Sequence, residues 1–276
     1  GDKRVDIKIN SPVYPSEDLQ VEIRKKEIAM KFFSKLFLTI IEILLIGCSQ
    51  TRQDPQNNNL TITGSGNLVS EELFLSNFDQ VEAGLHFDLT FRQGEDARVI
   101  LTSDDNFIEY IQVEQTGHGI RFGFKPGYAY DISGVTLQAE VIIPHLSKLE
   151  LNSSSHANID GYRSHQPFEA ALTGSSSLTG DLQLETAAIK MSGSSNVKVS
   201  GSAQQLDLQA CGSTIVDLSD FESKNAALDV SCNSTIIVEV PGRLEVEASQ
   251  YAQVYFTGDP AAKVFAVHEF ASVQAR

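Results

Sequence analysis

The chain has 276 residues with 36 Asp and Glu against 21 Lys and Arg, a net charge of −15, no tryptophan and three cysteines. That balance excludes the usual electrostatics of nucleic-acid binding, which relies on basic side chains against phosphates. It also excludes a basic patch lying on anionic lipid.

Residues 1–29 look unlike any part of an export signal, and Met30 reads as a start. Residues 30–50 are MKFFSKLFLTIIEILLIGCSQ, with a basic beginning (Lys31, Lys35) and an apolar run over 36–46. Eleven residues are too few to cross a bilayer, which needs about 20, and the pattern is that of a secretory signal over 30–47. The Leu45-Ile46-Gly47-Cys48 end resembles the bacterial lipobox, and that likeness implies that Cys48 is lipidated and becomes the mature N-terminus. Glu42 departs from the pattern. Residues 48–59, polar and with three consecutive asparagines, read as a flexible tether. From Cys48 onward 29 acidic residues face 13 basic ones, a surface that keeps a sheet-rich protein soluble.

Residues 60–147 alternate irregularly. Leu85, Phe87, Leu89 and Phe91 mark one strand, Ile120, Phe122 and Phe124 a second, and residues 135–143 a third, closed by Pro144. This part is either a set of irregular early rungs or a cap over one end of the more regular C-terminal half.

Residues 148–276 repeat. LDLQACGSTIVDL (206–218) returns as LDVSCNSTIIVEV (228–240), and the same template begins at Leu149, Ala170, Ala187, Leu206, Leu228, Leu244 and Lys263. The internal period is two, so each copy is a pair of short strands with apolar odd positions, joined by a corner of small residues. Such a unit buries its apolar stripe only by stacking on neighbours. The pattern predicts an all-β, right-handed parallel β-solenoid of about seven C-terminal rungs. An antiparallel sandwich also accommodates short alternating strands, but gives no reason for blocks that match in register. The aligned copies predict an inward ladder of Val197, Val216, Val238, Val254 and Val273, and an outward acidic column of Asp160, Asp181, Asp217 and Glu239. Cys211 and Cys232 fall on opposite faces in this alignment, so two free thiols are expected, with Cys232 a small core residue.

Catalytic patterns are not found. The serines recur at corner positions, as a structural role requires, and no G-x-S-x-G elbow occurs. The six histidines show no zinc spacing. TGSGN (63–67) precedes no helical pattern, so it makes no phosphate cradle. The acidic column could hold Ca²⁺, though a solvated acidic face explains it as well. No cofactor or metal is indicated.

The leader, the stretch FDQVEAGLHFDLTFRQGEDARVILTSDDNFIEYIQVEQTGHGIRF, and the ladder LELNSSSHANI, LTGSSSLTG and MSGSSNVKVSG together resemble the auto-transporter adhesin, head GIN domain family (DUF2807), common in Bacteroidetes. The resemblance spans about residues 74–275. It implies a β-helical envelope protein with an adhesin-like role and supplies no catalytic residues.

The expected function is therefore a lipid-anchored, non-catalytic adhesion or ligand-binding scaffold in the cell envelope, on the outer membrane. Its partner would be a glycan or a protein, with the membrane reached through the lipid and no nucleic acid bound. A carbohydrate-active β-helix enzyme and an envelope signalling accessory are the alternatives. The seventh copy ends at Ala275, so its edge is expected to be covered either by the N-terminal region folding back or, second, by a partner chain placed end to end.

Overall fold

The computed structural model describes residues 61–75 and 77–276. Cys48 and the segments 1–29, 30–47 and 48–59 lie outside the described residues.

The first nine strands are β1 (Thr61–Thr63), β2 (Leu68–Leu73), β3 (Gln80–Ala83), β4 (Asp88–Gln93), β5 (Arg98–Asp104), β6 (Ile111–Thr116), β7 (Gly119–Phe124), β8 (Ala129–Asp131) and β9 (Leu137–Ile143). The repeats supply β10 (Lys148–Leu151), β11 (His156–Ser164), β12 (Phe168–Leu172), β13 (Ser177–Met191), β14 (Asn196–Ala210), β15 (Ile215–Val230), β16 (Thr235–Glu239), β17 (Arg243–Ala248), β18 (Gln253–Thr257), β19 (Ala262–Val267) and β20 (Ser272–Ala275). From β10 onward every ladder is parallel. The fold is a β-solenoid of seven rungs, because a strand with one apolar face and a short period can hide that face only under the next turn of chain.

The strands β13, β14 and β15 each run through 15 or 16 residues, closing one rung and opening the next without a break. Glycines with positive φ stand inside β13 at Gly180 and inside β14 at Gly201, whereas β15 contains none. A Cβ on Gly180 would lie 1.9 Å from the carbonyl oxygen of Ile159 in the rung beneath, so no side chain fits there.

The corner between the two strands of a rung repeats along the whole stack. Ser153, Gly174, Gly193, Gly212, Cys232, Gln250 and Glu269 all have φ between 59° and 105°, the left-handed region. Two residues further on, Ser155, Ser176, Ser195, Thr214 and Ser234 are buried. Four of these hydroxyls donate to the carbonyl three residues back: Ser155 to Asn152 (2.8 Å), Ser176 to Thr173 (2.9 Å), Ser195 to Ser192 (3.0 Å) and Ser234 to Ser231 (2.8 Å). The bulkier Thr214 breaks the series, and its buried hydroxyl oxygen has no partner.

Register differs from the sequence alignment by two residues in four copies. Leu149, Ala170, Ile189, Leu208, Leu228, Val246 and Phe265 form one column. The next inward column past the corner is Ala157, Leu178, Val197, Val216, Ile236, Val254 and Val273. Val238 is buried but stacks between Leu218 and Phe256, one column over. The alignment placed Leu206 under Leu228, whereas Leu208 lies there. A slip of two preserves the facing of every side chain, so alternation cannot detect it.

The cysteines lie in a corner, where alternation of facing does not hold. Cys211 and Gly212 lie beneath Ser231 and Cys232, as the bonds Ser231 N–H to Ala210 O and Asn233 N–H to Gly212 O require. Cys211 and Cys232 are therefore neighbours in adjacent corners, with Cα atoms 5.3 Å apart, and form a disulfide instead of two free thiols.

The N-terminal part proves to be both early rung and cap. The strands β3 and β4 stack in parallel beneath β10 and β11, and Leu85, expected in a strand, instead sits exposed in their corner with φ 58°. Below them β7 and β9 add a further parallel layer, and the antiparallel pairs β2–β5, β5–β9 and β6–β7 close that end. Phe87, Phe91 and Phe107 fill it. The expectation that this region folds over the last rung is overturned, since it covers the opposite end.

Ser195→Ala, which strands the Ser192 carbonyl, should lower stability by about 1 kcal/mol. Thr214→Val, which removes a buried hydroxyl lacking a partner at equal volume, should be neutral or stabilising in the same chemical denaturation series. Reducing the disulfide reopens a loop of 21 residues' separation and should cost about 3 kcal/mol, read as a lower denaturation midpoint.

Candidate functional site

The corrected register disperses the expected acidic column. Asp217 lies in the outward column Asn158, Thr179, Lys198, Asp217, Ile237, Tyr255 and Gln274. Lys198 beneath it pairs with its carboxylate at 3.4 Å, and the Ser219 hydroxyl donates to it at 2.6 Å. Those Ser219 bonds, with Lys198, hold the Asp217 pKa below the usual aspartate value. Asp181 stacks on Ser200, and Asp160 sits at the bulge beside it. Glu239 pairs in register with Glu222 and Thr257. Among the described residues no group of three or more His, Cys, Asp or Glu side chains converges as a metal site would need.

A different outward face is organised. Arg121, Glu82 and Glu150 lie in register on β7, β3 and β10, followed by Ala171 and Lys190. Beside them run Gln80, Lys148 and Glu169. Arg121 pairs with Glu82 at 2.8 Å and Lys190 with Glu169 at 2.8 Å, and Lys148 contacts Glu150. The hydrogen bond to Glu150 raises the Lys148 pKa against the opposing effect of its partial burial. The hairpin β6–β7 stands over this face, so Glu114 and Thr116 complete a groove of about 310 Å³ with Glu82, Arg121, Lys148 and Glu150. It is open and mixed in character, with Val81 and Ile120 among the charged side chains and with donors and acceptors fixed by strand register, which suits a ligand that combines hydroxyl or amide groups with apolar faces.

At the base of the same hairpin is an aromatic cluster. The Tyr110 and Tyr128 rings lie 4.9 Å apart, as do those of Phe124 and Tyr130, and Phe107 meets Phe124 edge-on at 5.5 Å. The Tyr130 hydroxyl donates to the Lys125 carbonyl at 2.6 Å. Burial raises the pKa of both Tyr110 and Tyr130. Tyr128 is half exposed and offers a ring to solvent. Sequence reasoning missed groove and cluster alike, because both depend on the irregular strands docking beneath the repeats. The doublet Tyr128 and Tyr130 beside Pro126-Gly127 was the available signal.

The cap that carries this hairpin is tied by Asp104, a buried carboxylate. It accepts N–H bonds from Gly66 at 2.5 Å and Thr136 at 3.0 Å, and these, Thr136 foremost, lower its pKa.

A family model described as putative auto-transporter adhesin, head GIN domain, matches residues 77–260. A crystal structure of a putative adhesin from Bacteroides fragilis superposes with TM-score 0.72 at 13% identity, covering 78% of this chain and 100% of that one. A putative lipid binding protein from Parabacteroides distasonis gives TM-score 0.63 at 17% identity, covering 79% and 100%. A putative adhesin from Parabacteroides merdae gives 0.59 at 14%, covering 78% and 99%. Among curated proteins none matches the sequence. At these identities the structures share the fold.

Asp104→Asn replaces one acceptor by a donor facing a backbone N–H and should lower the melting temperature at neutral pH. A depressed folded-state pKa stabilises above the unfolded value and is lost as pH falls through the folded one. The gap between wild type and variant should therefore shrink in acid, below the usual aspartate range, when melting is followed against pH.

Proposed function

Because the chain belongs to the auto-transporter adhesin, head GIN domain family, we propose that it is a lipid-anchored, non-catalytic scaffold of the cell envelope that binds glycan through the groove between β3, β7 and β10. The observation that carries this reading is the ladder of paired charges on that face, Arg121 with Glu82 and Lys148 with Glu150, set at strand spacing in a rigid stack. Groups already paired lose little freedom on binding, and a preorganised surface retains more of its contact energy. Similar structures are described as adhesins or as a lipid binding protein, and none of those descriptions is of an enzyme.

Export is supported by the Cys211–Cys232 bond, since disulfides persist in oxidising compartments. Lipid on Cys48, followed by the polar residues 49–59, would tether the solenoid to the outer membrane and let it reach a ligand.

Two measurements test the proposal. Palmitate labelling should mark the wild-type protein and not Cys48→Ala, and membrane association of the variant equal to wild type would remove the anchor from the reading. On a glycan array the protein should retain a restricted set of glycans, at least tenfold more weakly in the Glu82→Ala/Arg121→Ala double variant. No retained glycan would overturn the scaffold reading, and cleaved glycan would replace it with a carbohydrate-active enzyme.

A further inference from the structure

The groove beside the hairpin β6–β7 is lined by three carboxylates, Glu82, Glu114 and Glu150, against two cations, Arg121 and Lys148. Both cations are already engaged. Arg121 turns Nε and Nη2 onto one oxygen of Glu82, each at 2.8 Å, and the other Glu82 oxygen accepts from the Asn152 amide at 3.4 Å. Lys148 contacts Glu150 and stands in the field of Glu169 and Glu82 as well. Lys190, further along this face, is held by Glu169.

Glu114 differs. It lies directly across the hairpin from Arg121, but the guanidinium is turned to Glu82. Among the described residues no cation lies within ion-pair distance of Glu114. One of its oxygens accepts from the Gln112 side-chain amide at 2.9 Å, and the residue is exposed.

This arrangement discriminates between ligands. An incoming carboxylate or sulfate finds both cations taken, by partners that strand register keeps in place. It also meets Glu114 and a chain of net charge −15, and like charges brought into contact disfavour such a ligand. A neutral ligand leaves Glu114 without a counter-charge. A ligand with an ammonium group supplies one, while its apolar faces meet Val81 and Ile120 between the charged side chains. Past Lys190 the same outward column continues as Gln209, Asp229 and Glu247, with Asp207 and Glu245 in the column beside it. The field that draws a cation therefore extends along the stack.

Resting on the reading of this groove as a glycan site, we infer that its ligand is a glycan with free amino groups, one ammonium standing against Glu114, and that Glu114 selects it. The Glu82–Arg121 and Lys148–Glu150 pairs then orient the hydroxyl groups.

Chitosan and chitin oligomers of equal length differ only in whether each amine is free or acetylated, so titrating the 276-residue protein in nonionic detergent with each, at mildly acidic pH, tests the choice. Wild type should bind the free-amine oligomer about fivefold more tightly at low salt, the scale of one exposed ion pair. The difference should fade as salt is raised. Glu114→Gln, at an exposed position where folding is spared, should remove most of that preference. Glu95→Gln, exposed and outside the groove, removes the same net charge and should leave it unchanged. Equal affinities in wild type would overturn the inference and leave the glycan reading standing. So would a preference that survives in Glu114→Gln or falls equally in Glu95→Gln, since either makes the attraction a property of the whole acidic surface. Binding of neither oligomer would overturn it too, and the glycan reading falls with it only if the array also retains nothing.

Discussion

Everything in this fold depends on one constraint: equivalent backbone atoms of successive rungs must lie one strand spacing apart, about 4.8 Å, all around the turn. Straight segments satisfy this easily, whereas corners do not. At each corner the chain reverses in five residues, one residue adopts positive φ, and a side chain pointing into the stack meets the rung below. A Cβ on Gly193 would lie 2.6 Å from the Gly174 carbonyl oxygen. In the middle corners glycine at 174, 193 and 212 removes the side chain, and the serines at 155, 176, 195 and 234 turn their hydroxyls back on the carbonyl three residues earlier.

Superposed corners bring the apolar residues at alternate positions into continuous inward columns. Each member buries its neighbours, at about 1.5–3 kcal/mol per fully buried aliphatic side chain. The outward positions are brought into equally strict ladders, which is how Arg121, Glu82 and Glu150, from three separate parts of the chain, come to lie side by side. A surface of this kind is rigid because each side chain's base is held by hydrogen bonds above and below. The two ends are the weak points of any such stack. Among the described residues antiparallel strands and aromatic rings fill one end, with Leu68 and Val69 exposed on its edge strand β2, and Phe265 and Val267 are exposed at the other.

Much was legible in the residues. Alternation in LDLQACGSTIVDL and its relatives specified strands, the recurrence specified stacking, and recurring Ser and Gly marked the corners. Burial of Val197, Val216, Val238 and Val254 follows from alternation alone. Register was a different matter. The likeness of 206–218 to 228–240 drew Leu206 under Leu228, yet the corners align at Cys211-Gly212 with Ser231-Cys232. A period of two leaves shifts of two invisible, and with that slip went the acidic column, whereas the disulfide was missed because alternation was applied through the corner that holds both cysteines. The corner pattern was the better ruler, since the corner residue with positive φ, from Ser153 to Glu269, lies four positions past the same inward column in every rung.

The sequence by itself determined the class of fold, the corner chemistry and which side of each strand faces the core, because these are local properties of residue size, polarity and spacing. Tertiary structure alone decided which residues are vertical neighbours, that Cys211 meets Cys232, that residues 61–147 cap the first rung and not the last, and where the groove opens. Those outcomes depend on how far one turn of chain is displaced along the next. That displacement is set by the summed packing of whole rungs, which no single stretch of residues encodes.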